Sequence, residues 1–166
     1  STNEPRRLLD VLSELEFVDI LRNKSYKTRK LQEIYDAMKE RKYTQSCTRI
    51  YLKILVVNLL SRKYNLNELL SMMNKILVCN ESFESGKRHQ ALAHHVLAAA
   101  YYREGNLKES KKHSIKCLNL FNELGDTYKA IHLHNSKICN SGNIVLECEN
   151  GDVFQTNDFV FDMRIW

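Results

Sequence analysis

The chain is poor in the residues that interrupt helices. It has a single proline, Pro5, and five glycines in 166 residues. So few breakers exclude a fold of many short strands and tight turns, and argue for long helices. No apolar run approaches the roughly 20 residues that a bilayer-spanning helix needs. The first ten residues, STNEPRRLLD, hold no apolar core of a secretory signal, so none is expected. There is no CxxC pair and the number of cysteines is odd: Cys47, Cys79, Cys117, Cys139 and Cys148. That pattern suits reduced thiols in an intracellular protein, cytoplasmic or nuclear, better than a disulfide framework or a zinc site.

Catalytic signatures are also missing. The sequence has no HExxH, no GxSxG and no glycine-rich phosphate loop. His94, His95 and His113 cluster in sequence, and His132 and His134 follow, but their spacing does not set two ligands on one helix face. They read as partly buried helix histidines. A non-catalytic protein with no cofactor and no metal is the expectation.

What is present is a run of amphipathic segments. Residues 5–22 place Leu8, Leu9, Leu12, Leu15, Val18 and Leu21 at helical spacing, with Pro5 suited to a first turn. Residues 26–41 carry Leu31, Ile34, Tyr35 and Met38 on one stripe. Further helices are expected over 45–62, 66–79, 87–104, 107 to about 124, and 127–139. Gly105-Asn106 and Gly125-Asp126 punctuate the later ones. The helices come in pairs with short breaks, and the pairs repeat. SRKYNLNELLSMMNKIL (61–77) set above YREGNLKESKKHSIKCL (102–118) aligns Leu66 with Leu107, Glu68 with Glu109, Lys75 with Lys116 and Leu77 with Leu118, at an offset of 41 residues. A period near forty made of helix pairs is the pattern of an α-solenoid.

Within the best unit, Leu97, Ala98, Tyr101, Gly105-Asn106, Ser110 and Cys117 stand at spacings that resemble the tetratricopeptide repeat. Ala98 and Ser110 would let two helices approach closely, Tyr101 would fill the space beside them, and Gly105 would permit the turn. The pattern departs where His94 replaces a large aromatic and Asn122 a proline. The unit near 50–82 is a degenerate copy. The resemblance covers about 32 residues well and about 120 loosely, and the longer spacing is similar to members that scaffold large assemblies. It implies an all-α, right-handed helical-repeat solenoid of about three antiparallel pairs over residues 1–140, followed by an irregular or β-hairpin tail over 141–166, where Asn150-Gly151 is a turn signal.

The resemblance also implies a function: binding of a protein segment along a concave groove, as a scaffold subunit of an intracellular complex. The residues it places in that groove are Leu92, His95, Ala99, Tyr102 and Arg103 in one unit, and Tyr51, Ile54, Asn58 and Arg62 in the preceding one. His95 and Ala99 stand where a carboxylate-gripping lysine and asparagine would be, which argues against the chaperone-binding subtype. A second class of partner is nucleic acid. Net charge is +5 and unevenly spread, with 14 Lys/Arg against 8 Asp/Glu up to Lys63. Arg22, Lys24, Lys27, Arg29 and Lys30 surround Tyr26 and form a basic patch that would attract phosphate. The same residues also suit solvated helix ends. A third reading is a regulatory solenoid that senses a short peptide.

Overall fold

The computed structural model describes residues 4–78, 83–126, 153–156 and 159–162, and among them the chain is helical apart from two short strands. Six helices match the expected segments to within a few residues: α1 (Glu4–Asn23), α2 (Arg29–Glu40), α3 (Thr44–Leu60), α4 (Leu66–Leu77), α5 (Phe83–Arg103) and α6 (Leu107–Glu123). The helix expected over 127–139 and the turn at Asn150-Gly151 lie outside the described residues. Strands β1 (Val153–Thr156) and β2 (Phe159–Asp162) pair antiparallel, with Val153 opposite Asp162 and Thr156 opposite Phe159. No helix among the described residues is long and apolar enough to cross a membrane.

The helices fall into two compact units, Ser1–Asn65 and Leu66–Trp166. The sequence reading set no boundary at this point and ran one repeat domain to residue 140. The division falls in Lys63-Tyr64-Asn65, the polar break after α3.

In the first unit α1 packs against α2 and α3. Phe17, Ile20 and Leu21 on α1, Leu31 and Met38 on α2, and Ile50, Leu52 and Leu59 on α3 are buried. Most of the apolar stripe read along α1 lies outside: Leu8, Leu12, Leu15 and Val18 are exposed, together with Val11. The helix has apolar residues on two opposite faces, and the unit buries the face that carries the phenylalanine. An aromatic ring buries more area than a leucine, so packing favours that choice.

In the second unit α5 lies against both α4 and α6. Every residue from Ala91 to Ala100 is buried. Alanine lets backbones come close, and the closest tie is a hydroxyl: Ser110 Oγ donates to the Ala98 carbonyl at 2.7 Å. Ion pairs join the start of α5 to the end of α6, Lys87 to Glu123 at 2.8 Å and Arg88 to Asp126 at 3.1 Å. Gln90 Nε2 donates to the Leu77 carbonyl at 3.0 Å, satisfying an otherwise open group at the end of α4.

Five helix ends share one device. A residue just past the end adopts a left-handed conformation, and the next N–H reaches back five residues. In the first unit the left-handed residues are Lys24 (φ 52°), Lys42 (φ 59°) and Arg62 (φ 61°). In the second they are Gly105 (φ 79°) and Gly125 (φ 70°). The closing bonds run from Ser25 to Ile20 (3.1 Å), Tyr43 to Met38 (3.0 Å), Lys63 to Asn58 (2.9 Å), Asn106 to Tyr101 (2.9 Å) and Asp126 to Phe121 (3.0 Å). Asn106 then opens α6 by accepting from the Glu109 N–H at 3.2 Å.

Candidate functional site

The expected groove residues divide between interior and surface. On α5, Leu92 (5% exposed), His95 (7%) and Ala99 (1%) are buried. The reason is local: α4 and α6 both pack on α5, so no side of residues 91–100 stays open. Ile54 on α3 is buried as well, inside a run of buried residues from Leu52 to Val57. These four are core residues in this structure. Tyr51, Asn58, Tyr102 and Arg103 are half-buried, and Arg62 is exposed. Tyr51 is held by Tyr35 of α2, with ring centroids 5.9 Å apart. Arg62 is the left-handed residue that ends α3.

The basic patch is brought together by the turn between α1 and α2. Arg22, Lys24, Lys27, Arg29 and Lys30 are all exposed. Two of the five are partly neutralised, Arg29 by Glu33 at 3.2 Å and Lys30 by Glu16 at 3.8 Å. Among the described residues no ion pair holds Arg22, Lys24 or Lys27. Lys24 has a structural task of its own as the left-handed residue that closes α1.

His94 and His113 form a stack. His94 of α5 and His113 of α6 approach Nδ1 to Nδ1 at 2.9 Å, and Tyr101 stacks on His113 with centroids 5.4 Å apart and planes 7° from parallel. Such a bond needs one Nδ1 to donate and the other to accept, so the pair cannot be doubly protonated and keep it. Burial, and then the nearby His113 and Lys116, hold His94 down at about 4. Burial also lowers His113, with Lys116 adding to it and Glu109 opposing. At neutral pH the stack is uncharged packing.

Two features escaped the sequence reading. The first is Lys53, which is 1% exposed in the middle of α3. Its Nζ donates to Glu14 Oε1 at 2.7 Å and to Ser13 Oγ at 3.2 Å, and lies 5.8 Å from the Phe17 ring centre. Burial pulls its pKa below the usual lysine value, and Glu14 works against that. A lysine within LKILVVNLL has no sequence mark that distinguishes an inward ammonium from an outward one. The second is the exposed stripe of α1, formed by Leu8 (60% exposed), Val11, Leu12, Leu15 (63%) and Val18. The sequence showed the leucines and Val18 as one helix face, without saying which way that face turns. Among the described residues Cys47 and Cys117 are in no disulfide, and burial raises the Cys47 pKa.

No family model matches the chain, and neither does any curated protein or solved structure.

Proposed function

We propose that this protein is a non-catalytic protein-interaction module with the character of a tetratricopeptide-like helical repeat, serving as a scaffold subunit of a larger complex. The observation that carries the reading is the apolar stripe of α1. Five large aliphatic side chains stand in solvent on one helix face, and contiguous exposed apolar surface marks an interaction site more often than plain surface. The α5–α6 hairpin adds support. Its helices meet closely where Ser110 bonds the Ala98 carbonyl, Tyr101 stacks on His113, and Gly105 turns the chain between them. The partner surface is placed on α1 rather than on the buried Leu92, His95 and Ala99.

The test is affinity capture from nuclease-treated extract with three baits: the natural chain, Leu12→Asp, and Arg62→Glu. Circular dichroism establishes equal helicity. Loss of a defined protein set with Leu12→Asp supports the reading, and identical recovery by all baits removes it. Loss with Arg62→Glu alone moves the site to the end of α3.

A second reading rests on the exposed cations of the α1–α2 turn and gives the protein a nucleic-acid partner. Its signature is steep salt dependence. Each phosphate contact adds a slope of about −0.9 to log K against log salt on duplex DNA. Lys24→Gln with Lys27→Gln would flatten that slope. Binding that ignores salt eliminates this reading.

A further inference from the structure

We propose that the exposed stripe of α1 is a self-association surface, and that its occupant is α1 of a second copy packed antiparallel across a two-fold axis. This rests on the interaction reading above and commits it to one partner.

The argument is the order of residues along the stripe. Leu8, Val11, Leu12, Leu15 and Val18 share one face at helical spacing, over about 15 Å of helix. The ends of the same face are charged. Glu4 and Arg7 stand at the N-terminal end, Asp19 and Arg22 at the C-terminal end, and all four are exposed. Among the described residues Glu4, Arg7 and Arg22 take part in no ion pair, and Asp19 only accepts a hydrogen bond from Asn23. Lay a second α1 antiparallel on the first, with the axis crossing close to Leu12. Leu8 then meets Val18 and Val11 meets Leu15. In the same register Glu4 meets Arg22 and Arg7 meets Asp19. A two-fold interface repeats each contact, so two stretches of apolar pairing are closed by four opposite-charge pairs.

The alternatives are worse on the same residues. A parallel pairing sets Glu4 on Glu4, Arg7 on Arg7, Asp19 on Asp19 and Arg22 on Arg22, all like charges. Shifting the antiparallel register by a full turn breaks the charge matching and leaves end leucines without a partner. The surface is one helix face, far smaller than a standard interface, so the dimer should be weak and concentration-dependent. The apolar pairs supply attraction, and the charges supply orientation and register.

The experiment is sedimentation equilibrium on the full chain over a range of concentration. It compares the natural sequence with Leu15→Arg, Arg7→Glu, Asp19→Arg and the double variant Arg7→Glu/Asp19→Arg. Every substitution is at an exposed position, and circular dichroism monitors the helices. A reversible dimer is expected, with loss of association in Leu15→Arg. Each single charge reversal should weaken association by roughly tenfold or more, since it sets like charges together. The double variant should restore it. Dimerisation that ignores the charge reversals overturns the antiparallel register. A chain that stays monomeric overturns the second copy altogether. In that event, loss of extract capture with Leu15→Arg leaves the interaction reading standing with a different partner, whereas unchanged capture removes that reading too.

Discussion

The two units of this chain end their helices with the same geometry and different chemistry. The first places Lys24, Lys42 and Arg62 in the left-handed region, and the second places Gly105 and Gly125 there. Glycine occupies that region without a steric penalty, whereas a residue with a Cβ pays roughly 1–2 kcal/mol. A basic residue recovers part of that cost, because a cation at a helix C-terminus meets the negative end of the dipole. The difference teaches that a helix stop need not contain glycine. Among the described residues it also gives the first unit helix-ending cations where the second has glycine.

The interiors differ too. The first unit buries an ammonium, Lys53, between α3 and α1. The second buries a row of alanines and His94, which stacks on the half-buried His113. All six histidines of the chain lie after Asn65, so the first unit has none.

The sharpest way to break this contrast is to disturb the close approach in the second unit. Ser110→Leu removes the bond to the Ala98 carbonyl and adds volume where the helices touch, so a loss of about 3 kcal/mol is expected in urea unfolding. In the first unit, Glu14→Ala strands the buried Lys53 ammonium and should cost about 2 kcal/mol, tempered by the partial exposure of Glu14. Lys53→Met removes the charge itself and should be close to neutral or stabilising. Equal destabilisation by both variants would show that the pair is a net contributor rather than a satisfied burial.

Acid titration tests the histidine stack. Unfolding returns His94 to its ordinary value near 6.5, whereas folding holds it at about 4. Between those values the unfolded chain binds the extra proton, so stability falls as pH falls through the window. The loss should be on the order of 2 kcal/mol once partial solvent access is allowed for, and His94→Phe should flatten it. A flat profile in the natural chain would mean that the stack accommodates the charge.

The smallest effects concern the helix ends. Gly105→Ala should cost about 1 kcal/mol from backbone conformation alone, because nothing stands within 4 Å of the added Cβ. Lys42→Gly should gain up to about 1 kcal/mol, less the greater entropy of the unfolded glycine and the lost cation at the helix end. Opposite signs in the two units would sharpen the comparison, and equal signs would dissolve it.

The helices were legible because their signals are local. Periodicity at 31–38 and 107–121, Pro5 in a first turn and Gly105-Asn106 before α6 each act within a turn or two of chain. The candidate site was legible only in part. The cations at 22–30 are neighbours in sequence and stay neighbours on the surface. Leu92, His95 and Ala99 share a helix face, yet a face says nothing about how many helices cover it.

By itself, then, the sequence determined where helices run, because hydrogen bonding along a helix and its end devices depend on residues a few places apart. Only the tertiary structure decided which face of α1 turns inward, that α5 is covered by α4 and α6 alike, and that Lys53 finds Glu14. Those outcomes depend on competition between distant surfaces for the same buried space, and the residues that meet there are 19 to 40 places apart in the chain.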